Sequence, residues 1–318
     1  MSSRRISIIT PTFNEELNVQ DCYKAVKVLF QDKLCDYERE HIFCDNASTD
    51  GTPELLRKIA AEDKQVKVIL NARNYGPFRS TFNGLRHATG DGALVMLAAD
   101  LQDPPEMLVQ FVQKWEEGFH VVYGIRANRE EGAIMRLVRR FYYNLVNRFA
   151  DIEIPLYAGE FQFIDRKVLD SLMQFDDHYP YIRGMVASCG FKAIGIPYTW
   201  KRRKKGMSKN RLYHLIDQGL NGLISFSNAP TRIGMLIGLC ISALSFLYTL
   251  VQLTINLILG RLAAPGITTI IVAVFFFGGV QMFFLGFLGE YIGSIHAQVR
   301  KRPLVTVLEM LNFKETNQ

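Results

Sequence analysis

Short apolar runs separated by stretches of helical period recur along the chain up to about Arg126. Residues 5–10 read as a buried strand closed by Pro11, and Asn14 to Glu16 open a helix running to about Phe30. Residues 38–45 give a second strand, followed by Asn46-Ala47-Ser48-Thr49-Asp50-Gly51-Thr52, a dense cluster of turn and capping residues. A helix over 53–61, a strand over 66–70 and a helix over 78–88 continue the pattern, then a strand over 93–99, a helix over 106–117 and a strand over 120–124. Strands alternating with helices at this spacing predict βαβ units and a mostly parallel sheet, an α/β fold.

The stretch LVMLAADLQDPP, residues 94–105, stands out within that pattern. Its apolar run suits a strand covered on both faces, and Pro104 and Pro105 suit the first turn of the next helix, where a missing N–H costs nothing. Asp100, Gln102 and Asp103 therefore fall beyond the carboxyl end of a strand, where open α/β sheets bind ligands. For Asp103 a second reading stands beside this one, as the N-cap of the following helix. No GxGxxG follows a strand and no GxxxxGK[ST] occurs, so dinucleotide-binding and P-loop readings lose their main support.

Beyond Arg126 the alternation weakens. Residues 129–149 look like an arginine-rich amphipathic helix, and 151–165 like an irregular stretch containing Gly159-Glu160-Phe161. Residues 201–209, KRRKKGMSK, form a basic loop that Gly206 and Ser208 interrupt as a phosphate-holding turn would; a solvated charge run is the alternative. Over 213–226, Leu215, Ile216, Leu220, Leu223 and Ile224 share one helical face, as in a helix lying in a membrane interface.

Residues 233–259 and 262–289 carry no charged side chain, and each exceeds the roughly 20 residues that cross a bilayer. With a short link at Arg261 they predict a transmembrane hairpin. Arg232 precedes it and Arg300, Lys301 and Arg302 follow it, so the positive-inside rule places the large domain and both termini in the cytoplasm. The expected organisation is a catalytic domain over 1–210, a juxtamembrane helix over 211–230, the hairpin over 231–290 and a cytoplasmic tail over 291–318.

Composition now makes sense. A hydrophobic content of 48% with 21% charged residues reflects a polar body joined to an apolar tail rather than one uniform core. The formal charge of +6 suits nucleic acid, an acidic membrane surface or a phosphorylated substrate. Five cysteines without CxxC spacing read as buried, reduced thiols, and the start MSSRRISIITPTF has too short an apolar run for a signal peptide. An acidic strand end and basic loops on a membrane hairpin suggest a protein joining a soluble, phosphorylated, metal-bound donor to a lipid acceptor. A nucleotide sugar fits as donor, because a divalent cation at Asp100 would stabilise its diphosphate leaving group. A phosphate monoester fits as acceptor: its second pKa of about 6 leaves it largely dianionic at neutral pH, so arginines matter more than a general base.

Several motifs in one order carry a resemblance. They are Ile8-Ile9-Thr10-Pro11-Thr12-Phe13-Asn14-Glu15, Asp45-Asn46-Ala47-Ser48-Thr49-Asp50-Gly51-Thr52, Asn71-Ala72-Arg73-Asn74-Tyr75-Gly76 and Ala99-Asp100-Leu101-Gln102-Asp103-Pro104-Pro105. Arg203 with Gly206-Met207-Ser208-Lys209, and Gly289-Glu290-Tyr291-Ile292-Gly293, complete the set. Over almost its whole length the chain resembles the family-2 glycosyltransferases of GT-A fold, and among them the membrane-bound polyprenyl-phosphate hexosyltransferases, such as bactoprenol glucosyltransferases and dolichol-phosphate mannose synthases.

That resemblance implies a GT-A domain followed by an interfacial helix and the hairpin. It implies a UDP-hexose donor, a polyprenyl phosphate acceptor such as undecaprenyl phosphate, a membrane setting, no nucleic acid, and a homo-oligomer, by resemblance a tetramer. Pro11, Glu15 and Asp45 would line the nucleoside pocket, and Asp100 and Gln102 would hold Mg²⁺ or Mn²⁺. Arg126 and Arg129 would meet the acceptor phosphate, and Arg203, Ser208 and Lys209 would close over the diphosphate. Structural roles stand beside these: Glu15 as a first-turn acid, Asp45 and Asp50 as turn and cap residues, Arg129 as a surface charge.

Two positions depart from the family. Ala98 replaces the first aspartate of Asp-x-Asp, and Gly159-Glu160-Phe161-Gln162 stands where Gly-Asp-Phe-Arg is common. Glu160 is expected to act near the reacting sugar, as an acid-base or positioning group. The expected reaction is inverting transfer of a hexose, glucose from UDP-glucose, to the polyprenyl phosphate. A degenerate scaffold, suggested by Ala98, and a processive synthase, which lacks its Gln-x-x-Arg-Trp motif here, are the alternatives.

Overall fold

The structure is a computed structural model that describes residues 4–128, 158–177, 180–200, 267–300 and 302–313, with isolated positions between 238 and 258. Arg129, Arg203, Ser208 and Lys209, the helices expected over 129–149 and 211–230, and most of the first apolar segment lie outside the described residues. The chain divides into two compact units: residues 1–147, 152–225 and 302–318 belong to one, and residues 148–151 and 226–301 to the other.

The first unit is built on an eight-stranded sheet. Its parallel half alternates β1 (Arg4–Thr12), α1 (Val19–Asp32), β2 (Tyr37–Asp45), α2 (Thr52–Glu62), β3 (Val66–Asn71), α3 (Pro77–Arg86) and β4 (Gly92–Leu94). The remainder runs α4 (Met107–Glu116), β5 (Val121–Asn128), β6 (Ala158–Asp165), α5 (Arg166–Leu172), α6 (Ile182–Ser188), β7 (Ala193–Thr199) and, at the end of the chain, β8 (Val307–Leu311). The spatial order is β7-β5-β6-β4-β1-β2-β3-β8. β6 runs antiparallel between β4 and β5, and β8 antiparallel on the edge of β3. The sheet is therefore mixed, and the expected mostly parallel arrangement holds only for β4-β1-β2-β3 and the β5–β7 pair.

One sheet face buries Ile6, Ile8, Phe43 and Val68 against Val26, Phe30, Leu56 and Phe111 of α1, α2 and α4. The other is covered by α3, which packs so closely that a Cβ on Gly84 would fall 2.6 Å from the Cys44 sulfur. β1 continues through Pro11 rather than stopping before it. Its neighbour β4 makes its last ladder pair at Ile8↔Leu94, so the missing N–H of Pro11 breaks no ladder bond on that side. β4 itself is only three residues long, and beyond it the chain stays tied by bonds from Val95 N to Gln162 O (2.7 Å) and Leu97 N to Ile9 O (2.8 Å).

In the second unit, α7 (Ile267–Val299) is one continuous helix of 33 residues. At about 1.5 Å per residue it is roughly 50 Å long. Among the described residues no helix meets the length and hydropathy of a membrane span.

Candidate functional site

Every described candidate lies at one edge of the sheet, where β1, β2, β4 and β5 end and antiparallel β6 begins. Three tight loops form this edge, each with a non-glycine residue in the left-handed region: Asn14 (φ 53°) after β1, Ala47 (57°) after β2 and Leu101 (54°) after β4. Such backbone costs on the order of 1–2 kcal/mol and persists only where its surroundings impose it.

The first two loops impose it on each other. Asn14 N donates to Ser48 Oγ (2.8 Å) and Thr49 N to Asn14 Oδ1 (2.8 Å). Glu15 N donates to Thr52 Oγ1 (2.9 Å), and Gly51 N to Glu16 Oε2 (3.1 Å). Asp45 is buried and accepts bonds from Ser48 N (2.9 Å), Ser48 Oγ (2.5 Å) and Thr12 Oγ1 (3.1 Å). Burial raises its carboxyl above the ordinary value, and those bonds oppose the rise. Asp50 caps the turn by accepting from Thr52 N (3.1 Å). Both aspartates thus carry turn geometry here. The Asn71–Gly76 motif joins them, since Asn46 Oδ1 accepts from Asn71 Nδ2 (3.2 Å) and Asn46 Nδ2 donates to Gly76 O (3.4 Å).

At the third loop the left-handed Leu101 separates Asp100 from Gln102, and Gln102 N donates to Asp100 Oδ1 (3.3 Å). Glu15 reaches back to Asn18 Nδ2 (2.6 Å). Burial pushes the Cys22 thiol up to about 12 against a hydrogen bond from Thr10, and the charges of Asp100 and Glu15 add to the rise. The acids of the first and third loops therefore both lie within electrostatic reach of Cys22 in α1. Pro11 is half-buried near the end of β1.

Across β6 lies a second cluster. Asp103 is 6% exposed and does not cap α4, whose first residue follows Glu106. Instead it pairs with Arg126 of β5 (Nη2 to Oδ2, 3.2 Å) and accepts from the Tyr198 hydroxyl of β7. Arg126 Nε donates to the same hydroxyl (3.0 Å), and the guanidinium lies 5.3 Å from the Trp200 ring centre. Burial works against the Arg126 charge, but the carboxylate and the phenol outweigh it and hold the group above its ordinary value. Burial and the Asp103 charge push the Tyr198 phenol up. Glu160 stands at the start of β6, acts on Arg126 through its charge, and is 4.0 Å from Arg183 of α6. Gln162 is buried and donates from Nε2 to Gly159 O (2.7 Å).

The structure thus brings together Pro11, Glu15, Asp45, Asp100 and Gln102 on one side and Arg126 and Glu160 on the other. Sequence reasoning passed over Tyr198 and Arg183 and left Asp103 between two roles. An Asp four residues before α4 and a Tyr in a strand carry no spacing signal; only the fold brings them to Arg126.

A parallel βαβ half ending in strained loops, joined to an antiparallel ribbon that carries arginine and carboxylate, is a GT-A-like layout. The profile of Glycosyl transferase family 2 matches residues 7–173. The chain belongs to that family and is a glycosyltransferase. The bactoprenol glucosyl transferase of Shigella phage SfII is 33% identical over 300 residues, spanning 94% of this chain and 96% of that protein. The prophage bactoprenol glucosyl transferase homolog of Escherichia coli K12 is 32% identical, over 94% of this chain and 97% of that one. YkcC of Bacillus subtilis, an uncharacterized glycosyltransferase, is 33% identical over 95% and 92%.

Proposed function

We propose that this protein transfers a hexose, glucose from UDP-glucose, to a polyprenyl phosphate such as undecaprenyl phosphate, with inversion at the anomeric carbon. The observation that carries the reading is the convergence of the Asp100–Gln102 corner with the Arg126–Glu160 cluster on one sheet edge. The similarity to bactoprenol glucosyl transferases over almost the whole chain supports the lipid acceptor.

A divalent cation suits the corner. The Asp100 carboxylate and the Gln102 amide are hard oxygen donors, both partly exposed and set apart by the Leu101 turn. Among the described residues no three acidic, histidine or cysteine side chains gather as a complete metal cage. Two protein donors plus substrate phosphates is the arrangement by which Mg²⁺ or Mn²⁺ is commonly held. When bound, the ion supplies Lewis-acid stabilisation of the departing diphosphate.

Glu15 and Asp45 frame the nucleoside end of the donor, and Arg126 attracts the acceptor phosphate. A phosphate oxygen forms the new bond to the anomeric carbon as the bond to the diphosphate breaks. No proton needs to leave the attacking dianion, so Glu160 serves to hold the sugar hydroxyls rather than to act as base. Arg203, Ser208 and Lys209 would close over the diphosphate, and Arg129 would add charge at the acceptor.

The membrane reading rests on the two uncharged segments and on the chain path. β8 follows the second segment and pairs with β3 of the unit that precedes the first, so an outward crossing needs a matching return. Two spans with both termini in the cytoplasm satisfy this, and a homo-oligomer, by resemblance a tetramer, completes the proposal. A reporter active only in the cytoplasm, fused after Gln318, should be active; activity only of a periplasmic reporter there would contradict the topology. For the reaction, the purified full chain is incubated with a panel of nucleotide sugars, undecaprenyl phosphate and Mg²⁺ or Mn²⁺. Mass analysis should find a hexosyl-phosphoryl-polyprenol from UDP-glucose, and a glycolipid from another donor alone would reassign the sugar.

A further inference from the structure

We propose that Arg183 is a positioning residue of the transfer site, acting through Glu160; the inference rests on the hexosyl-transfer reading above. Glu160 is largely buried, with 19% of its side chain exposed, and its own strand brings it no cation. The next residue on the same face of β6 is Gln162, which is 3% exposed and spends its amide on the Gly159 carbonyl at 2.7 Å. Arg126 approaches from β5, but its Nη2 is held by Asp103 at 3.2 Å and its Nε by Tyr198 at 3.0 Å. Among the described residues, the cation within ion-pair distance of Glu160 comes from α6.

Arg183 stands in the first turn of that helix, with 17% of its side chain exposed and Nε 4.0 Å from Glu160 Oε1. Its guanidinium lies over the Tyr181 ring at 4.6 Å, and Nε donates to the Tyr181 hydroxyl. Ile182, Met185 and Val186, all nearly fully buried, fix the helix beneath it. A planar guanidinium held on an aromatic face and by a phenol loses little freedom when it orients a carboxylate. At 4.0 Å the pair is an ion pair rather than a hydrogen bond. Arg183 therefore aims Glu160 by charge and leaves its oxygens able to accept from hydroxyl groups of the sugar.

The test is a double-mutant cycle in the purified full chain, with UDP-glucose and undecaprenyl phosphate as substrates. Arg183→Met should lower kcat on the order of 10²-fold, the cost of a reacting group misplaced by about 1 Å. KM for the donor should stay within about twofold. Arg183→Lys keeps the charge without the planar stack and should recover part of the loss. In a Glu160→Gln background, Arg183→Met should change kcat by no more than about twofold, because sites that act through one another are not additive. An equal loss in both backgrounds overturns the positioning role. Tyr181→Phe removes only the phenol that holds Arg183 and repeats the cycle at less risk to the fold, with a smaller drop expected beside Glu160 and none beside glutamine. A wild-type chain that transfers no sugar overturns the function itself, whereas active wild type with an additive cycle overturns this inference alone.

Discussion

Replacing Asp103 with alanine should loosen the antiparallel side of the site and disarm Arg126 together. The side chains of Asp103 and Arg126 are 8% and 22% exposed, so the pair lies mostly out of water. Removing one partner of a buried pair typically costs 3–5 kcal/mol, because the other charge is left uncompensated. Water reaches Arg126 at its open side, which puts this case at the lower end, about 3 kcal/mol. Arg126→Ala should cost a similar amount by stranding the carboxylate. The double variant should cost less than the sum by about 2 kcal/mol, since neither charge then remains alone. Hydrogen exchange read on peptides from β5 and β7 reports the local opening free energy that these numbers describe. Asp103→Asn, which keeps volume and an acceptor for Tyr198, should retain more protection than Asp103→Ala. Strict additivity of the two alanine variants would refute the idea that Asp103 holds Arg126 in place.

Asp100→Asn should abolish turnover while leaving exchange protection of the sheet unchanged, and Mn²⁺ binding followed by its paramagnetic signal should weaken in parallel. Burial alone would raise the Glu40 carboxyl, but bonds from Lys67, Ser7 and Thr89 outweigh it and hold it below its ordinary value of 4.5. Stability from this group is therefore complete above pH 4.5 and is lost as pH falls through the lower folded value. Glu40→Gln should flatten the acid limb of an unfolding curve there, and an unchanged limb would count against the network. Asn312→Ala should cost about 2 kcal/mol, because the Asn312 amide bridges Ala60 O (2.6 Å) and Val66 O (2.8 Å). The loss should appear as faster exchange in β3 and β8.

The parallel half was legible because each of its elements buries a periodic apolar face and its partners follow closely in sequence. What stayed hidden depends on distant or local exceptions. β8 falls within the stretch expected as a cytoplasmic tail, because it is only five residues long and the strand it pairs with, β3, is far away in sequence. Its anchors, such as Arg57 with Glu309, lie 252 residues apart. β6 reads as irregular because a buried Gln162 interrupts its apolar alternation. The strand expected over 93–99 shrinks to three ladder residues as the chain bends toward the left-handed Leu101. At the site, the motif loops pointed to Asp100, Gln102 and Glu15 as candidates, whereas Tyr198 of β7 and Arg183 of α6 reach Arg126 and Glu160 only through long-range packing that no local spacing announces.

The central claim, that a phosphate monoester is the nucleophile, has a direct readout in phosphorus NMR of the complete reaction. With UDP-glucose and a divalent cation, the wild-type chain should convert the monoester signal of undecaprenyl phosphate into a phosphodiester signal, matched by release of UDP, and Asp100→Asn should do neither. UDP release with the monoester signal intact would mean that water or another acceptor takes the sugar, and would contradict the account.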